Sequence, residues 1–200
     1  MTIVEDRPPS VHQKARKAMI DSQLRTSGVN ADFVLRRMGE VARERFVPES
    51  AQGFAYIDRA IALGRGHFLA APVVQGMMLQ EARPTGADKT LLVDGGSGYL
   101  AELLRPLVGS LEVVTRKDVS AQPRKRDFTL LMIDGAVEQL PEALVRLLAN
   151  DARVVTGVAE NGVTRLAIGR KVAGVVALLP LAELGIPVLP EFAAPKGWSF

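Results

Sequence analysis

The sequence predicts a three-layer α/β fold with an added N-terminal helical region, and three observations carry that expectation. Short, nearly continuous apolar runs recur in the second half of the chain, in "TLLV", "SLEVV", "FTLLMI" and "ARVV". Runs of this kind suit strands buried on both faces of a parallel sheet. A glycine-rich turn and a helical pattern follow the first of them in "LLVDGGSGYLAELL", Leu91 to Leu104. Three helix-like segments precede all of this. Strand alternating with helix and finished by a hairpin-like pair is the signature of the class. At 200 residues the chain suits one sizeable domain.

Residues 1–10 read as a flexible arm, with Pro8 and Pro9 delaying any helix. From Val11 to about Ser27, Ala15, Ala18, Met19 and Leu24 recur near helical spacing and Gly28 supplies a stop. A second helix is expected from Asn30, a suitable N-cap, through Phe33, Val34, Leu35 and Met38 to Pro48. Between Pro48 and Pro72 the expectation is a short extended piece with a Gly-x-Gly turn. Pro72 then opens a helix at its first turn. Residues 11–80 thus form a helical and loop region, and residues 81–200 a Rossmann-like core within the same domain. In that core "LPEALVRLLAND" reads as a helix started by Pro141. "VTRLAIGRKVAGVVALLPLAE" reads as two strands around a Gly-Arg-Lys turn, with "IPVLPEF" adding to them.

Composition excludes several function classes. The absence of Cys rules out disulfides, a cysteine nucleophile and thiolate metal sites. His12 and His67 are too far apart to make a local ligand pair, so no metal site is predicted. No apolar run approaches the roughly 18 residues of a membrane span, and the N-terminus lacks a signal-like segment. The expectation is a cytoplasmic protein with no membrane partner. The net charge of +3 is mild, and the basic cluster from Arg116 to Asp127 carries no aromatic residues that could stack on bases. That cluster reads as a solvated loop and not as a nucleic-acid surface.

With these elements placed, the residues support a family resemblance. "SQLRTSGVNADFVLRRMGEVARERFVPE", Ser22 to Glu49, resembles the N-terminal signature of protein-L-isoaspartate O-methyltransferases. "AYIDRAIALGRGHFLAAPVVQGMML" resembles that family's substrate-loop segment, and "GSGYLAELL" its first cofactor motif. "FTLLMIDGAVEQLPEALVRLLANDARVVTGVAENGV" is similar to its strand-four to strand-five region. The resemblance spans about residues 11 to 170 with one gap. It implies a seven-stranded methyltransferase sheet that binds S-adenosylmethionine and methylates the α-carboxylate of isoaspartyl residues in damaged proteins. The residues it places at the cofactor are Asp94, Gly95, Gly96, Ser97, Gly98, Tyr99 and Thr115. Those at the substrate loop are Gly66, His67, Phe68 and Ala70. No catalytic residue is assigned, because the carboxylate nucleophile is already ionised and the reaction needs positioning and electrostatics more than a strong base.

Three departures from the family pattern fall in one region. Asp94 stands where the first glycine of the cofactor loop belongs, and Leu92 where the preceding acid belongs. Two roles are open to Asp94: capping the tight strand-to-helix turn, or pairing with the cofactor's ammonium. Between Val114 and Phe128 only 13 residues remain, too few for a helix, a third strand and the return. A shortened sheet without strand three is therefore predicted, with Thr115 and Arg116 near the place of the ribose-binding acid. In "GHFLAAP" the family's Thr and Ser hydroxyls are replaced by Phe68 and Ala70. The expected function is a family member with lost or strongly reduced methyl transfer, acting as a non-catalytic binding or scaffold protein. The alternative is an active S-adenosylmethionine-dependent carboxyl methyltransferase with isoaspartyl proteins or peptides as partners. A homodimer through the shortened sheet edge or the N-terminal helices goes with the non-catalytic role. A third reading is a binder of another small anionic ligand on the Gly95–Gly98 amides, with the basic loop as its attraction and Asp94 arguing against phosphate.

Overall fold

The computed structural model describes residues 10–117 and 126–194. The N-terminal arm, most of the basic cluster and the end of the tail lie outside the described residues. Helix α1 (Val11–Met19) opens on a reciprocal cap in which the Ser10 hydroxyl accepts from the Gln13 amide and the Gln13 side chain accepts from the Ser10 amide. It continues as a π-helical turn over Ile20–Leu24 and stops at Gly28, whose φ of 89° suits glycine. Helix α2 spans Asp32–Glu40. It is shorter than expected at both ends. Asn30 is not its cap: Ala31 holds that position without a side-chain cap, and the Gln80 side-chain carbonyl accepts from the Asn30 and Ala31 amides just ahead of the helix. At its C-terminus Val41 turns extended and a 3-10 turn over Arg43–Phe46 carries Arg43 into the core.

A hairpin follows, β1 (Ile61–Gly64) against β2 (His67–Leu69). Its two-residue turn, Arg65-Gly66, has both φ angles positive, as a type I′ turn requires. Helix α3 (Pro72–Ala82) starts on Pro72 as predicted and is buried on nearly every side.

The main sheet holds β3 (Lys89–Asp94), β4 (Ser110–Thr115), β5 (Phe128–Val137), β6 (Leu148–Glu160), β7 (Val163–Val172) and β8 (Val175–Glu183) in the order β4-β3-β5-β6-β7-β8. The first four run parallel, and β7 and β8 are antiparallel. Helix α4 (Tyr99–Leu104) connects β3 to β4. Among the described residues no strand lies beyond β4, as the short connection predicts. Alternation along doubly buried strands divides two cores. Leu92, Leu130 and Met132 face α3, α4 and the N-terminal elements, while Leu91, Val93, Leu131 and Ile133 face the short helix α5 (Glu142–Val145) and the C-terminal segment.

Two sequence expectations fail for tertiary reasons. The helix predicted through Asp151 ends at Val145. The Leu147 carbonyl accepts from Phe128, and Leu148 pairs with Phe128 in the sheet. The last hairpin turns at Ala173-Gly174, not at Gly169-Arg170-Lys171. Gly169 lies inside β7, where a β-carbon would come within 2.8 Å of the Ala177 carbonyl. The stretch "IPVLPEF" does join the sheet's end, through a parallel bridge between Val188 and Ala136 and reciprocal backbone bonds of Ala136 with Pro187 and Leu189.

That docking depends on Gly135, where a β-carbon would lie 2.5 Å from Leu189 Cγ. Gly135→Ala is expected to lower stability by about 1–3 kcal/mol and to expose the C-terminal segment to limited proteolysis. Gly185→Ala, with nothing within 4 Å, should leave both unchanged.

Candidate functional site

Ligands of open α/β sheets bind outside the carboxyl ends of the strands, where the chain order reverses. Here that point lies between β3 and β5, since the chain leaves β3 for β4 on one side and reaches β5 on the other. The same motif recurs in both strands, "LLVDG" closing β3 and "LMIDG" within β5 three residues before its end. With Val93 paired to Ile133, Asp94 and Asp134 stand next to one another across the two strands. Asp94 in turn is level with Thr115 of β4.

Asp94 closes the glycine turn on itself. Its two oxygens accept from the backbone amides of Gly96 at 2.9 Å and Gly98 at 3.0 Å. The Ser97 hydroxyl accepts from the Tyr99 amide at 3.2 Å. Two of the glycines are fixed by neighbours. A β-carbon on Gly95 would meet the Asp134 carbonyl oxygen at 2.4 Å, and one on Gly96 would lie 1.9 Å from His67 Nδ1. The β1–β2 hairpin thus rests on the turn, with the Phe68 amide donating to the Gly95 carbonyl.

His67 also meets Arg116, whose Nη2 lies 3.3 Å from His67 Nδ1 and whose Nη1 pairs with Glu191 of the C-terminal segment at 3.2 Å. The Arg116 side chain is only 4% exposed. An arginine buried to that degree needs such partners. Outside this group, Arg116, Lys117, Gln139, Pro141, Glu191 and Phe192 line a cavity of about 580 Å³.

Beneath the turn runs a buried polar chain. Arg43, fully buried, donates to the Ala55 and Ala70 carbonyls and to the Gln75 side-chain carbonyl, and lies over the Tyr99 ring, 4.9 Å from its centre. The Gln75 amide nitrogen reaches both oxygens of Asp134 at 3.3 and 3.2 Å. Burial, first, and the Asp94 charge, second, push the Asp134 carboxyl up to about 7.

The structure brings together Gly66, His67, Phe68, Asp94, Gly95, Gly96, Ser97 and Gly98. Two predicted side chains sit elsewhere, and a third residue lies next to Asp94 across the sheet. The Tyr99 side chain is fully buried in the core, edge-on to Phe46, and points away from the crevice. Ala70 is buried, its carbonyl taken by Arg43. Thr115 ends β4 at the surface. Sequence reasoning missed Arg43, Gln75, Asp134 and Glu191. The repeated apolar-Asp-Gly motif was a readable signal for Asp134. For Glu191 there was none, because only the folded tail brings it to Arg116.

The family described as protein-L-isoaspartate(D-aspartate) O-methyltransferase matches residues 14–125, more than half of the chain. The chain is 28% identical over 184 residues to a protein-L-isoaspartate O-methyltransferase 2 of Anaeromyxobacter sp., covering 80% of this chain and 76% of that protein. It is 32% identical over 179 residues to a protein-L-isoaspartate O-methyltransferase of Aeropyrum pernix, covering 74% and 68%. Among solved structures it resembles a beta-aspartate methyltransferase of Plasmodium falciparum in complex with S-adenosyl-L-homocysteine, with a TM-score of 0.67 at 17% identity over 92% of this chain and 100% of that one.

The raised Asp134 carboxyl makes stability depend on pH. From about pH 4 to 7 the unfolded chain ionises this group while the folded protein keeps it protonated, so stability falls across that window and levels above it. Asp134→Asn removes the loss. Thermal melts should find it more stable than the parent at pH 8, by about 1–4 kcal/mol, and equal to it near pH 4. Parallel curves for the two proteins would contradict the assignment.

Proposed function

The chain belongs to the protein-L-isoaspartate(D-aspartate) O-methyltransferase family, and from that premise we propose that it has given up S-adenosylmethionine binding and serves as a non-catalytic binding protein. The observation that carries this reading is the closed glycine turn, whose Gly96 and Gly98 amides are occupied by Asp94 and whose Gly96 is covered by His67. Methyl transfer to a carboxylate relies on holding the sulfonium in line with its acceptor. The cofactor site is therefore what decides activity.

The residues present do not fit that cofactor. Both Asp94 oxygens already accept backbone amides, which favours the capping role over pairing with an ammonium group. At the end of β4, where an acid would hold ribose hydroxyls, stands Arg116, a cation beside the expected place of a cationic ligand. Phe68 and Ala70 leave the β1–β2 loop without side-chain hydroxyls for a substrate carboxylate. No step through S-adenosylmethionine is derived from this arrangement. The other reading, an active methyltransferase acting on isoaspartyl proteins or peptides, is favoured by the names of the relatives.

Calorimetric titration with S-adenosylmethionine and S-adenosylhomocysteine separates the two. Our reading expects no binding tighter than about 100 µM, roughly 5.5 kcal/mol. Asp94→Gly alone should cost about 1 kcal/mol of stability through the lost cap and restore no binding, since His67 and Arg116 remain. Saturable binding by the parent below 100 µM, weakened by Asp94→Gly, would overturn it.

A further inference from the structure

We propose that the cavity outside the carboxyl ends of β4 and β5 binds a small phosphorylated ligand through Arg116 and Lys117, with Glu191 as a built-in competitor. The inference rests on the reading that S-adenosylmethionine does not take this crevice. Its first support is position. Arg116 follows the last residue of β4 and comes 20 residues after Gly96. In dinucleotide-binding sheets an acid about 20 residues beyond the glycine loop takes ribose hydroxyls, and an arginine in its neighbourhood takes a phosphate. An arginine at this point favours an anion over a sugar hydroxyl.

The second support is the state of Arg116. Its guanidinium is 4% exposed and held from two sides, by His67 and by Glu191, so its orientation toward the cavity is set before a ligand arrives. Its one carboxylate partner among the described residues comes from the C-terminal segment and is itself 28% exposed. A phosphate accepts the same fork of N–H donors as a carboxylate and can take that place. The lining carries Arg116 and Lys117 against Glu142 and Glu191. Because these charges balance, an incoming anion binds by displacing Glu191 and not by adding to it. The volume of about 580 Å³ is within the range of small-molecule sites, and Leu140, Pro141 and Phe192 give the organic part of the ligand an apolar wall. The glycine turn contributes nothing here, since Asp94 holds its Gly96 and Gly98 amides.

The test is calorimetry on the full chain with inorganic pyrophosphate, ADP, adenosine and S-adenosylhomocysteine. Pyrophosphate and ADP should bind at one site, while adenosine and S-adenosylhomocysteine should not. Glu191→Gln should tighten ADP binding about tenfold and Arg116→Gln should abolish it. Because Arg116 is buried, the exposed Lys117→Gln serves as a second variant, expected to weaken ADP several-fold (about 3- to 10-fold) with an unchanged melting curve. If neither phosphate probe binds the parent or Glu191→Gln at millimolar concentration, the site does not exist. Binding indifferent to both Glu191→Gln and Lys117→Gln overturns the proposal equally. Silence from every probe leaves the reading under "Proposed function" standing, whereas tight S-adenosylhomocysteine binding removes both.

Discussion

The carboxyl end of β3 is governed by one closure, the Asp94 carboxylate folded back onto the Gly96 and Gly98 amides. Glycine turns at strand ends serve anionic or polar ligands because their amides point outward and lack partners. Here those amides are satisfied from within. The turn can then accept a neighbour that a ligand-bearing turn would exclude, and His67 lies against Gly96. With His67 in that position, Arg116 gains a contact at its Nη2, and the tail brings Glu191 to its Nη1.

Below that end the family's framework is intact. Arg43 ties the N-terminal region to α3 through Ala55, Ala70 and Gln75, and Gln75 passes the connection to Asp134 of β5. A buried guanidinium is costly to leave unpaired, so this chain fixes how the N-terminal elements sit on the sheet. Two apolar cores, one on each face, complete the three layers. The face opposite α3 is thin, covered by a four-residue helix and the C-terminal segment with Leu189 and Phe192. The connection after β4 is too short for a helix, a further strand and the return together. Among the described residues the C-terminal segment covers part of that face.

How much of this was legible follows from what each residue depends on. The strands were readable because they are buried on both faces, and α3 because Pro72 marks its start. The Asp94 cap was readable as one of two roles, since an acid before a glycine turn is a local feature. Asn30 misled because the helix starts one residue later, at Asp32 with Ala31 as its uncapped first flank, while a glutamine 50 residues away holds the Asn30 amide. The helix after Pro141 misled because Leu147 and Leu148 satisfy helix and strand patterns equally, and pairing with Phe128 decided the matter. Arg116 was visible as a charge, but its burial and its pairing with Glu191 arise only when the two ends of the core fold together. Long-range polar contacts have no period and leave no local signature.

The central claim, that the glycine turn is closed to the family's cofactor, is tested most directly on the two amides that Asp94 holds. In a proton–nitrogen correlation spectrum, S-adenosylhomocysteine at about 1 mM, tenfold above the binding threshold, should leave the Gly96 and Gly98 amide signals unmoved. Saturable shifts of both signals, with the Asp94 cap released, would contradict the account.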